Sequence, residues 1–247
     1  MKKIIIAIII FNMINSFLFA GDFLDDQKRY NRVRTAIKEK DNIVKNTLKN
    51  NNIKLEELNI LITVYKQEDI LEIYAKNKSD STYKKIASYN IAAKSGILGP
   101  KRMEGDLQVP EGFYYIDRFN PASSYYLSLG INYPNESDKK KSNASRLGGD
   151  IFIHGANVTI GCMPMTDDKI KEIYLYAVYA KDNGQNRIPV YIFPFQMTDN
   201  NFDYYKKHYD ESLIDFWSNI KKGYDIFQTT KKELNIKFNS KGDYIFN

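Results

Sequence analysis

The feature that most limits the fold is a series of short apolar runs through the middle of the chain, broken by charged or Asn/Ser-rich turns. Ile60, Ile62 and Val64 alternate with Leu61 and Thr63, and residues 70–74 and 86–91 follow. A second set lies at residues 112–116, 125–129, 151–153 and 190–193. Such runs, rich in β-branched and aromatic residues, suit strands at hairpin spacing and are too short for buried helices. The centre of the molecule is therefore expected to be sheet. With 247 residues, 43% hydrophobic and 27% charged, the chain can bury a sizeable core and is too polar to span a membrane repeatedly. Its net charge of +6 comes from interspersed charges of both signs, which gives no nucleic-acid signature.

Helices flank and interrupt these runs. Residues 22–50 lack Gly and Pro, and Val33, Ile37, Ile43, Val44 and Leu48 recur at helical spacing, which predicts one amphipathic helix with a break near Asp41. Thr166 is a candidate N-cap for a second helix reaching Lys181, with Asp167 and Asp168 in its first turn and Ile170, Ile173, Tyr174 and Ala177 on its apolar face. A third is expected over residues 201–222, followed by strands at 234–238 and 244–246. The fold class is thus mainly β with helical additions (α+β). The expected divisions are a leader over 1–20, a helical segment over 21–57, a catalytic domain over 58–200 and a C-terminal helix and strand extension over 201–247, packed on that domain.

At the N-terminus, Lys2 and Lys3 precede an apolar run from Ile4 to Phe11, and Phe19-Ala20-Gly21 supplies small residues for cleavage. That is the layout of a secretory signal peptide, with cleavage expected after Ala20. An uncleaved anchor, the chain's only expected membrane attachment, is the rival reading. Export makes the cysteine count informative, because exported proteins generally pair their cysteines and this chain has one, Cys162. An internal disulfide is impossible. Cys162 is a buried small hydrophobe, half of an intermolecular bridge or a reactive thiol.

The surrounding segment bears on that choice. His154, one of two histidines, ends an apolar strand, and Gly155 permits a sharp departure from it. A short loop can bring Thr159-Ile160-Gly161-Cys162 back beside the strand. An imidazole near a thiol can lower the thiol pKa and create a nucleophile. Gly161 allows close approach of an acyl group, and the amides of Gly161 and Cys162 are candidate oxyanion donors. No carboxylate lies in the loop to orient His154, which leaves a backbone carbonyl as the third member. A buried thiol near an unrelated histidine remains the alternative on spacing alone.

His154-Gly155 followed by Thr159-x-Gly161-Cys162 resembles the L,D-transpeptidase catalytic-domain family, whose active site is formed by His-Gly, a variable loop and Ser/Thr-His-Gly-Cys. The run from Gly99 to Tyr114 resembles that family's Thr-Pro-x-Gly region, with Val109 in place of the Thr. Residues 129–135 and 188–195 are similar to a periplasmic branch of its cell-wall enzymes. The resemblance covers roughly residues 58–200 and implies an L,D-transpeptidase-type β-sandwich. It also implies a cysteine acyltransferase that cleaves peptidoglycan stem peptides through a Cys162 thioester, with His154 as base and no cofactor. Transfer to an amine would cross-link the wall, in cell-wall organisation or shape. Transfer to water would make an L,D-carboxypeptidase or amidase, and a wall-linked protein is a possible partner. Ile160 stands where the family often has histidine, so nothing carries over to that position.

Other residues have plainer readings. Two histidines and one cysteine cannot make a closed His/Cys zinc site, so no metal is expected, and His208 reads as a surface residue. Lys101 and Arg102 are candidates for binding substrate carboxylates, against a default of exposed turn charges. Asp138 and the lysines after it read as a solvated loop. A noncatalytic peptidoglycan-binding protein of the same fold is the alternative of another class.

Overall fold

The computed structural model describes residues 22–247, so the expected leader over 1–20 lies outside the described residues. Strands β1 (Leu58–Tyr65), β2 (Ile70–Asn77) and β3 (Lys84–Asn90) form an antiparallel meander. β4 (Gly112–Asn120), β5 (Ser128–Ile131), β6 (Phe152–His154), β7 (Met163–Pro164) and β8 (Ile188–Phe193) extend it to an eight-stranded mixed sheet. Its order is β3-β2-β1-β8-β4-β5-β6-β7, with β1–β8 and β6–β7 parallel. The α+β class read from the sequence holds.

Both faces of the central strands are buried, which explains why their runs are nearly continuous in apolar residues. Ile60, Ile62 and Val64 of β1 share one face with Val190 and Ile192 of β8, while Leu61 and Tyr65 face the other way with Tyr191 and Phe193. Helices α1 (Asp22–Lys28), α2 (Asn31–Asn50) and α4 (Thr166–Asp182) cover the first face. The second face is covered by α6 (Glu211–Thr230) and the hairpin of β9 (Ile236–Phe238) and β10 (Tyr244–Phe246). Two short helices, α3 (Glu136–Lys141) and α5 (Asp199–Tyr205), and a 3-10 turn at Leu55–Glu57 complete the described elements. No described helix is long and apolar enough to cross a membrane.

Local departures from the sequence reading have physical causes. The N-terminal helix breaks at residues 29–30 and runs unbroken through Asp41, whose carboxylate accepts from the Tyr179 hydroxyl at 2.6 Å and pairs with Lys45. The expected helix over 201–222 is two, because Asp210 caps a new one by accepting from the Leu213 amide at 3.0 Å. Thr166 makes no capping bond and has φ of +69°, and residues 173–180 of α4 are all buried because α1 and α2 cover its outer side. Asp138 is buried in a capping box with Asn135. The strand expected at 125–129 begins only at Ser128, since residues 121–127 form a loop.

Candidate functional site

The side chain of Cys162 reaches the site through strand register. Ile153 pairs with Met163 across the parallel β6–β7 ladder, and both point into the core. Alternation along each strand then puts Phe152, His154 and Cys162 on the opposite face. The Cys162 Sγ accepts from the Phe152 amide at 3.4 Å and donates to the Asp150 carbonyl at 3.5 Å. A cavity of 310 Å³ on this side is walled by His154, Cys162, Tyr125, Asp150 and Phe152. A smaller one, of 120 Å³, opens on the other flank of Cys162 between Lys66, Leu98 and Val109. A larger cavity, of 590 Å³, lies by β4, β8 and the C-terminal hairpin and includes neither Cys162 nor His154.

His154 is 2% exposed, and its ring lies against Tyr125 with centroids 4.7 Å apart. Its Nδ1 meets the Gly155 carbonyl at 2.5 Å, which makes that nitrogen the protonated donor and leaves Nε2 free to accept a proton. The orienting group is thus a backbone carbonyl. Gly155 is needed for space, because a Cβ there would lie 2.6 Å from both the Asp167 carboxylate and the Tyr125 carbonyl. Asp167 also accepts from the Ala156 amide at 2.8 Å, which holds the turn after the histidine.

Thr159 has a defined position. Its Oγ1 accepts from the amides of Gly161 at 3.1 Å and Cys162 at 2.8 Å and donates to the Cys162 carbonyl at 2.7 Å. The two amides expected to hold an oxyanion are therefore engaged by a hydroxyl. Gly161, at φ +131°, brings the loop to the Gln108 carbonyl, where a Cβ would stand 3.0 Å away. Ile160, where the family often has histidine, is 78% exposed at the cavity rim.

Burial disfavours a preformed thiolate–imidazolium pair. Burial pushes the Cys162 thiol up from its ordinary value, the Phe152 amide pulls it down, the Asp150 charge adds to the rise and Lys101 opposes it. Burial also lowers His154, with the Gly155 carbonyl opposing. Desolvation penalises the charged form of each, so both shifts favour the neutral thiol and the neutral imidazole.

Lys101 and Arg102 do not line the cavities beside Cys162. Lys101 is 5% exposed and pairs with Asp106 at 2.7 Å, and Arg102 pairs with the buried Asp138 at 2.8 Å. Both charges are engaged in ion pairs that hold the 99–111 segment and α3. His208 is exposed and lies against Tyr204. Sequence reasoning missed Tyr125, Asp150 and the buried Lys66–Glu111 pair. Only Gly148-Gly149-Asp150 before a strand offered a local signal.

Comparison with known proteins gives concordant matches. Residues 59–192 match the model described as the L,D-transpeptidase catalytic domain. YafK of Escherichia coli strain K12, named as a candidate L,D-transpeptidase, is 38% identical over 175 residues, or 70% of this chain and 68% of that protein. The same figures hold for YafK of Escherichia coli O157:H7. Among solved structures, the helical cell shape determining protein Pgp2 of Campylobacter jejuni aligns with a TM-score of 0.44 at 22% identity, over 74% of this chain and 73% of that one. Bd1075 of Bdellovibrio bacteriovorus aligns with a TM-score of 0.41 at 19% identity, over 72% and 74%.

Proposed function

This chain belongs to the L,D-transpeptidase catalytic-domain family, and we propose that it is an exported, cell-envelope cysteine acyltransferase acting on peptidoglycan stem peptides. The observation that carries this reading is the shared cavity. Cys162 and a histidine with a free Nε2 open on one space, set there by the register of two adjacent strands.

The chemistry follows from two neutral groups. Nε2 of His154 takes the thiol proton as Sγ attacks the carbonyl at the L-centre of a diamino acid, so no standing thiolate is needed. The tetrahedral adduct collapses when its C–N bond breaks. The departing D-amino acid nitrogen takes the proton from His154, and a thioester remains on Cys162. Nε2 then deprotonates an incoming amine, giving a cross-link, or water, giving a trimmed or released peptide. For the Gly161 and Cys162 amides to hold the oxyanion, the Thr159 hydroxyl must yield them by rotating about χ1. The leader-like run of residues 1–20 supports export.

The test is incubation of the mature protein with disaccharide-tetrapeptides, followed by mass spectrometry. Dimers lacking one D-amino acid are expected from transpeptidation, and trimmed monomers identify the hydrolytic variant of the same chemistry. Cys162→Ala and His154→Ala should each abolish product. Turnover surviving in Cys162→Ala overturns the mechanism. Sacculus binding without any product would identify the chain as a noncatalytic wall binder.

A further inference from the structure

An ion-paired rim beside Cys162 is built by several backbone irregularities acting together. Asp150, whose carbonyl accepts from the Cys162 thiol, sits at φ +54° two residues before β6. That left-handed conformation is uncommon for a non-glycine residue. Its carboxylate is 79% exposed and meets Arg118 Nη1 at 2.6 Å. Arg118 follows a register shift in the β4–β5 ladder, a device that re-aims side chains. The guanidinium lies 4.9 Å from the centre of the Phe152 ring, which walls the cavity. Arg118 Nε also meets Asp117 at 3.1 Å. Opposite stands Gly130, where a Cβ would lie 2.9 Å from Arg118 Nε and 3.0 Å from both Asp117 and Phe152. The space for the stacked guanidinium thus depends on that glycine.

Resting on the function proposed above, we infer that Arg118 and Asp150 form a subsite for the zwitterionic α-amino-acid group at the far end of the donor's diamino acid side chain. Arg118 takes the carboxylate through its fork, and Asp150 takes the ammonium. The arithmetic of charge selects this ligand. One cation between two carboxylates repels a lone carboxylate, and a lone ammonium leaves Arg118 competing for Asp150. A zwitterion inserted into the Arg118–Asp150 pair satisfies both, while Asp117 keeps the guanidinium oriented. Opening the pair costs little, since both partners are exposed to solvent.

The test is equilibrium binding to Cys162→Ala, which reads the subsite apart from the chemistry. Two tetrapeptides are compared, one with a diamino dicarboxylic acid at the third position and one with lysine, which keeps the amine and lacks the carboxylate. The first should bind about tenfold or more tightly. Adding Arg118→Gln should erase that preference, with the lysine peptide bound no more weakly than before because Asp150 loses its competing cation, and Arg118→Lys should restore part of it. Adding Asp150→Asn should weaken both peptides. Equal affinity for the two peptides, equal losses from Arg118→Gln, or no binding of either overturns the subsite. Turnover by the unmutated enzyme is scored separately, so failure of the acyltransferase reading and failure of the subsite are distinct results.

Discussion

Cys162 and His154 carry opposite desolvation shifts, and the consequence is a pH profile. A thiol raised by burial stays protonated at neutral pH, so its alkylation by iodoacetamide should be slow at pH 6 and climb about tenfold per pH unit until the pH passes the ordinary thiol value of ~8.5. A standing ion pair would instead give fast, nearly pH-independent alkylation from pH 6, and that result would sink the neutral-pair mechanism. His154, lowered from 6.5, must be unprotonated to act as base. Turnover should accordingly rise through a pKa below 6.5 and be level by pH 7, as read from kcat/KM against pH. Thr159 offers a second check at this scale. Thr159→Val keeps the shape and removes three hydrogen bonds at the loop, so kcat should fall by roughly tenfold or more, whereas Thr159→Ser should stay within about threefold.

At the scale of elements, the strand pair β6–β7 presents the thiol, and the segment before β4 walls the smaller cavity beside it. That segment is tied down by a buried cluster. Glu111, with no exposed side-chain surface, accepts from Lys66 Nζ at 2.8 Å, the Gly99 amide at 2.8 Å and the Trp217 indole at 2.8 Å. Lys66 Nζ also donates to the Gly99 and Val109 carbonyls at 2.7 and 3.0 Å. The cluster joins β1, the cavity wall and α6. Removing one partner strands the others, so Glu111→Gln, which leaves Lys66 buried without a counter-charge, should cost ~3–5 kcal/mol in urea unfolding. Trp217→Phe keeps most of the packing and loses one donor to a carboxylate, and should cost ~1–3 kcal/mol. On the opposite face, α2 sends Arg32 Nη1 to the Tyr126 carbonyl at 2.7 Å, which steadies the loop whose Tyr125 lies against His154.

The described residues place the sheet between two helical layers, each of which covers apolar side chains of the strands. Phe113, Tyr191 and Phe193 pack under Trp217, Ile220, Tyr224 and Phe227 of α6. A chain ending at residue 198 would expose that face, since the area rule of ~25 cal/mol per Å² applies to several large aromatic side chains at once. Such a truncation should be recovered in the insoluble fraction or bind hydrophobic dyes, although it keeps all of residues 59–192 that match the catalytic-domain model. A soluble, cooperatively unfolding truncation would show that the second layer is an accessory.

What could be read from the order of residues, and what could not, divides along the range of the interactions. Short apolar runs such as 60–64 and 190–193, rich in β-branched and aromatic residues, declared sheet because strand preference and run length are local properties. The Gly155, Thr159 and Gly161 spacing marked the loop because backbone angles and close approaches are dictated within a few residues. Helix ends were less legible, since Asp210 became a cap only once α6 had a face to bury. The charges of Lys101 and Arg102 looked available because their partners, Asp106 and Asp138, are recognisable only when the segment is folded. Sequence alone determined the strand-rich centre, the solitary thiol and the histidine eight positions before it. Tertiary structure decided that burial favours the neutral form of both, that Thr159 holds the loop amides and that Arg118 meets Asp150 at the rim. Those outcomes depend on burial and on contacts between distant segments, which no local pattern records.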